Sequence, residues 1–235
     1  RDVAELERAG YVQRMHGAVI ATERLSFEIN FHQRRMTRRE QKQAIASAAA
    51  RLVEPGSRLF VDAGSTTLRF VFCIKDIPNL VVVTTSLAVA SALQYTDSIE
   101  TILLGGTLRR GRPDLGGGFT EDMLEMFSAD YTFQGADGID LEGYVYNSNV
   151  QSARVSQKMR QKAARSYILA DSSKIGRTDL IRFGNLKHGS GLITDDEIKP
   201  AHLMAFRDFL DIDVVIAAPA PGISSRAAND DAEHD

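Results

Sequence analysis

The stretch LFVDAGSTT, Leu59 to Thr67, carries residue types that can hold an anion. An apolar run stops at Asp62. Gly64 then allows a tight turn, and Ser65, Thr66 and Thr67 supply three hydroxyls before the chain turns apolar again. A strand that ends this way and passes into a helix directs free N–H groups, and the positive end of the helix dipole, at whatever lies over the turn. A single phosphate group matches that chemistry. Ser65 or Thr66 could equally serve as an N-cap, and the stretch alone does not separate the two roles. A nucleotide triphosphate is a poor match, because the lysine of the Walker loop is missing.

Other candidate residues fall at comparable places. TTSLAVA puts Thr85 and Ser86 at a second strand-to-helix junction. LLGGTLRRGRPDLGGGF sets Arg109, Arg110 and Arg112 among Gly105, Gly106, Gly116, Gly117 and Gly118, in a loop flexible enough to close over an anion. In GADGIDLEG, Asp137 and Asp140 suit sugar hydroxyls as well as they suit a turn, and Lys174 in ADSSKIGR is a point charge for phosphate. Five polar, glycine-rich strand ends exceed what turn chemistry requires. The five histidines, His16, His32, His188, His202 and His234, are scattered without metal-ligand spacing, and no GxSxG elbow or GxGxxG fingerprint is present. Neither a metal nor a cofactor is expected.

These residues need a frame. From Ser57 onward, apolar strands (RLFVDA, NLVVVTTS, IETILLGG, YTFQGAD, SYILAD, GLITD, DVVIAAP) alternate with helices near Thr67–Ile74, LAVASALQY, TEDMLEMF and Asn149–Ala164. Near-continuous Val/Ile/Leu strands alternating with helices predict an α/β fold, with a mostly parallel sheet covered on both faces. Ligands in such sheets sit at the carboxyl ends of strands, where Asp62 to Thr67 fall. The 235 residues are 43% hydrophobic and 25% charged, with a net charge of −3, which excludes a chain that coats nucleic acid by bulk charge. The single cysteine, Cys73, reads as a buried structural thiol; with no membrane-length apolar run and no signal peptide, a reducing cytoplasm is the expected home.

The first 56 residues differ. DVAELERA is helical, Gly10 fits a C-cap, and YVQRM–HG–AVIAT reads as a hairpin. QRRMTRREQK, Gln33 to Lys42, holds five basic residues and one acidic; it reads as a solvated linker and helix face, with a nucleic-acid contact as the alternative. A helix follows over Arg39–Val53, and the tail from residue 219 to 235 is expected to be disordered.

Six blocks in order, RDVAELERAGYVQRMHGA, EQKQAIASAAARLVEPGSRLFVDAGSTT, VVVTTSLAVA, ILLGGTLRR, GADGID and LADSSKIGR, resemble the DeoR family of bacterial transcriptional regulators. The resemblance implies a regulator, typically a repressor of carbohydrate genes, acting as a homodimer or homotetramer. It implies residues 1–22 as the end of a recognition helix and the wing of a winged helix-turn-helix, with Arg1, Arg14 and His16 as candidate contacts to operator DNA. Residues 23–56 would be linker and helix, and 57–218 an effector domain similar in fold to ribose-5-phosphate isomerase and glucosamine-6-phosphate deaminase. A phosphorylated sugar would then meet Gly64 to Thr67, Asp62, Asp137, Asp140 and Lys174. The chain starts at what would be the second half of the recognition helix, and Ser152 and Ser156 stand where the family commonly carries Glu and Lys. The alternative is a sugar-phosphate isomerase or deaminase of the same fold.

Overall fold

The computed structural model describes residues 3, 12–15, 18–21, 31, 33–108, 114–187 and 190–218. Its frame is a seven-stranded sheet built from β3 (Arg58–Val61), β4 (Leu80–Thr84), β5 (Ile99–Leu103), β8 (Ala129–Gln134), β11 (Ala163–Leu169), β13 (Ser190–Asp195) and β14 (Asp213–Ala217). The spatial order is β14-β13-β11-β8-β3-β4-β5, and every pairing in it is parallel. The main sheet is therefore wholly, not just mostly, parallel. The chain adds β4 and β5 on one side of β3, then crosses back to lay β8 on the other. That reversal opens a crevice between the carboxyl ends of β3 and β8, where parallel α/β sheets bind ligands.

Strand alternation decides which helix covers which face. Leu59, Val61 and Phe133 pack with α1 (Arg39–Ala50), α2 (Ser65–Cys73) and α3 (Leu87–Leu93). Phe60 and Val83 point the other way, to Leu124 of α4 (Gly118–Glu125) and Val155 and Met159 of α5 (Val150–Gln161). A third cluster, with Ile139, Val145, Phe183 and Phe206, lies under a three-stranded antiparallel sheet of β9 (Gly138–Ile139), β10 (Tyr144–Asn147) and β12 (Ile181–Asn185). A short α6 (Pro200–Met204) runs into a π-helical turn, Ala205–Phe209, before β14.

The expected hairpin is present as β1 (Val12–Met15) and β2 (Ala18–Ala21), antiparallel, with Arg14 opposite Val19. Arg1 and His16 lie outside the described residues, as do residues 219–235 and all of DVAELERA but Val3. Two helix boundaries move. α2 begins at Ser65 rather than Thr67, because Gly64 is already its N-cap. α1 stops at Ala50 rather than Val53, its end tightened by turns that return Leu52 N–H to Ala49 and Val53 N–H to Ala50. Two small sheets lie outside the expected strands: the hairpin of β6 (Thr107–Leu108) with β7 (Leu115–Gly116), and β9-β10-β12. Among the described residues no helix is long and apolar enough to cross a membrane.

Phe133 anchors β8 beside the crevice. Its ring centroid is 4.3 Å from that of Phe70 and 5.6 Å from that of Tyr167, and the side chain is wholly buried. Phe133→Ala is expected to cost about 3–5 kcal/mol of unfolding free energy, measured by urea denaturation.

Candidate functional site

Asp62 ends β3 at the crevice and is stapled across it. Its Oδ1 accepts from Gly64 N–H at 3.1 Å and from the Thr67 hydroxyl at 2.7 Å, and its Oδ2 from Gly135 N–H at 2.7 Å, just beyond β8. Thr67 Oγ1 in turn accepts from Gly64 N–H at 2.8 Å. Gly64 is needed for closeness rather than for backbone freedom: an added Cβ would stand 2.9 Å from Thr67 Oγ1 and 3.2 Å from Asp62 Oδ1. This closed ring orients the start of α2, where the N–H groups of Ser65, Thr66 and Thr67 have no preceding turn to bond. Thr67 itself is buried and spent on the ring.

A cleft opens over this turn. Its lining includes Asp62, Gly64, Ser65, Thr66, Thr85, Asp137 and Lys174 among the residues singled out from the sequence. Ser86 and Asp140 do not line it. Ser86 N-caps α3, accepting from Val89 N–H at 3.2 Å. Asp140 braces the β9–β10 turn, accepting from Glu142 N–H, Tyr144 N–H and the Tyr146 hydroxyl. Gly106 is likewise a packing residue: φ is +147°, and an added Cβ would stand 2.0 Å from Thr120 Oγ1. Arg109 and Arg110 lie outside the described residues; the chain on either side of them is tied together by the β6–β7 pairing.

The lining also includes residues from outside these strand ends. Arg34 and Lys42 reach in from QRRMTRREQK, and Ser152, Ser156, Asn147, Asp114 and Asp171 complete the walls. Arg34 stands on the helical turn 33–36 and Lys42 in the first turn of α1, and the net charge of the segment conceals that both reach the cleft. Cations gather at one end of the cleft, Arg34, Lys42 and Lys174; neutral Ser152, Ser156 and Asn147 stand in its wall from β10 and α5. Lys42 is 6% exposed and donates to Arg34 O. Burial, helped by the charges of Lys174, Arg69 and Arg34, pulls its ammonium down to about 8 against the attraction of Asp171.

The carboxylates are already occupied. Burial pushes the Asp62 carboxyl up to about 6, against its three hydrogen bonds, and Asp114 adds to the rise. Burial also opposes ionisation of Asp137, but bonds from Ser148 N–H and Oγ, at 2.9 and 2.7 Å, and the charges of Arg34 and Lys174 hold it below the usual carboxylate range. Arg34 Nη2 is 3.3 Å from Asp137 Oδ1. Among the described residues no cluster of His, Cys, Asp and Glu could hold a metal ion. The arrangement suits an anion at the cationic end with hydroxyls toward the serines.

Comparison with known proteins places the chain in a class of sensory domains. The DeoR C-terminal sensor domain profile matches residues 37–196. The uncharacterised HTH-type transcriptional regulator YulB of Bacillus subtilis is 31% identical over 208 residues, covering 88% of this chain and 80% of its own. The glycerol-3-phosphate regulon repressor of Escherichia coli K12 is 29% identical over 195 residues, covering 83% and 77%. Ribose 5-phosphate isomerase A from Methanocaldococcus jannaschii overlaps 57% of this chain and 53% of its own at 17% identity, with a TM-score of 0.43, an overlap too partial to bear on function. The chain belongs to the DeoR family of transcriptional regulators.

The Asp62 ring gives a pH signature. A carboxyl whose folded value lies above its unfolded one favours the folded state most below the unfolded value, near pH 4, and loses that contribution as pH rises through about 6. Stability measured by urea denaturation from pH 4 to 7 should carry this downward step, and Asp62→Asn should remove the step.

Proposed function

We propose that the chain senses a phosphorylated sugar or polyol in this cleft, residues 57–218 forming the effector-binding unit together with α1 and the helical turn 33–36 before it, and passes the occupancy to a DNA-binding wing at its N-terminal end. The observation that carries the reading is the convergence of Lys174, Lys42 and Arg34 with the free start of α2 on one small volume. A phosphate there gains backbone N–H donors, the Ser65 and Thr66 hydroxyls and two or three cations. Hydroxyls of the ligand would reach Asp137, Thr85 and the serines of α5. Asp62 serves by holding the turn, and Asp140 drops out of the ligand-contacting set. The glycerol-3-phosphate regulon repressor among the relatives is named for a phosphorylated polyol, which fits this chemistry.

Binding without turnover is the better account of the acids. A general base needs a carboxylate with a lone pair aimed at substrate. Asp62 is engaged by three donors, and Asp137 by Ser148 and Arg34. To regulate, the ligand must bind one arrangement of the protein better than another. The protein is read as a dimer or tetramer, since paired winged helices read paired half-sites.

The test is a thermal-shift panel of phosphorylated sugars and polyols beside their unphosphorylated counterparts. A ligand at about 100 times its Kd adds roughly 2.7 kcal/mol, a rise of several degrees for a chain of this size. Shifts confined to phosphorylated compounds, and lost in Lys174→Ala at unchanged ligand-free midpoint, are expected. Equal shifts with the unphosphorylated partners would overturn the phosphate seat.

A further inference from the structure

The segment leading from the β1–β2 hairpin to the sensor is fastened by Arg38, whose backbone is held in an unusual state for that purpose. Residues 33–36 make a helical turn, closed by Thr37 N–H to Gln33 O at 2.8 Å. Arg38 then takes φ 54°, ψ 45°, and α1 starts at the next residue. A side chain in that left-handed region costs roughly 1–2 kcal/mol against glycine. The guanidinium offsets this cost by gripping two neighbouring strand ends. Nε is 3.1 Å from Asp171 Oδ1 beyond β11. Nη2 is 3.2 Å from Asp195 Oδ1 at the end of β13, 2.9 Å from Ser172 Oγ and 2.8 Å from Glu197 Oε2. Asp195 is fully buried and Asp171 nearly so.

The grip falls on the 3-10 turn Ser172–Lys174, which puts Lys174 into the cleft. The same linker is held at two further points. Lys42 donates to Arg34 O, and Arg69 of α2 donates to Arg35 O at 3.0 Å.

We propose that Arg38 is a positioning residue that clasps the linker to the ligand-bearing turn, so that an anion in the cleft tightens the linker through it. The inference rests on the anion reading of the site. Arg34, Lys42 and Lys174 all line the cleft, and Lys42, whose ammonium is lowered first by burial and then by the charges of Lys174 and Arg34, donates to Arg34 O in the linker. An anion among them adds a charge partner for the buried Lys42 ammonium, offsets the like charges of Lys174 and Arg34, and so favours the clasped arrangement.

Hydrogen–deuterium exchange of the full chain, with and without inorganic phosphate, tests this, using Arg38→Gly to remove the guanidinium while relieving the left-handed turn. In the unmodified protein phosphate should slow exchange both at residues 64–68 and at residues 33–41. In Arg38→Gly, residues 33–41 should exchange about tenfold faster without phosphate and lose the phosphate response, while residues 64–68 keep theirs. Linker exchange in Arg38→Gly that matches the unmodified protein, or slows equally with phosphate, overturns the clasp. Phosphate that slows nothing at residues 64–68 in the unmodified protein overturns the anion reading instead, and the ligand-free comparison then judges whether Arg38 holds the linker. Should Arg38→Gly fail to fold, Glu197→Ala, at a half-exposed partner, should raise linker exchange in the same direction by a smaller factor; no rise overturns the clasp.

Discussion

The structure depends on one carboxylate. Asp62 holds the ends of β3 and β8 together at the point where the sheet changes its direction of growth, and its partners Gly64, Thr67 and Gly135 contribute two backbone N–H groups and a hydroxyl. Without that acceptor Gly135 N–H would lose its partner, at a cost on the order of 1–3 kcal/mol, and Gly64 N–H and the Thr67 hydroxyl would be left with each other and with the Asp62 and Gly64 carbonyls. The turn over α2 keeps its shape because Asp62 faces inward. An acid that looks like a ligand contact is here the reason the contacts beside it are in place.

Much of this was legible in the strands. Uninterrupted Val/Ile/Leu runs demanded a parallel sheet covered on both faces, and parallel strands put their polar ends on one side. The cleft residues Ser65, Thr66, Thr85, Asp137 and Lys174 followed from that geometry alone. Asp140 and Ser86 did not belong with them, because an aspartate in a turn and a serine before a helix are satisfied locally, and spacing cannot tell an acceptor turned toward its own backbone from one turned outward. Gly106 misled for a related reason: the tight contact it permits is with Thr120 and not with a ligand.

Lys42 and Arg34 stayed hidden because their segment reads as surface. Five basic residues in ten ordinarily mean solvent. Only the acids at remote strand ends, Asp137, Asp171 and Asp195, turn that face inward, and they lie about 100 to 160 residues further along the chain. The small antiparallel sheet was missed for a different reason. Its strands β9, β10 and β12 are two to five residues long, and the Arg182 guanidinium of β12 lies 4.0 Å over the Tyr144 ring of β10. Pairing of that kind leaves little trace in local pattern.

The strand order has a consequence for how the protein comes into being. Gly135 reaches Asp62 across 73 residues of chain, so the centre of the sheet cannot close until the whole β4–β5 excursion has been made and set aside. Closing so long a loop is slow compared with forming any single helix. The crevice exists only once β3 and β8 have met, so a chain in which they are apart has no such place for an anion. A ligand that binds there recognises finished molecules only, and in binding them it draws newly made chains toward completion.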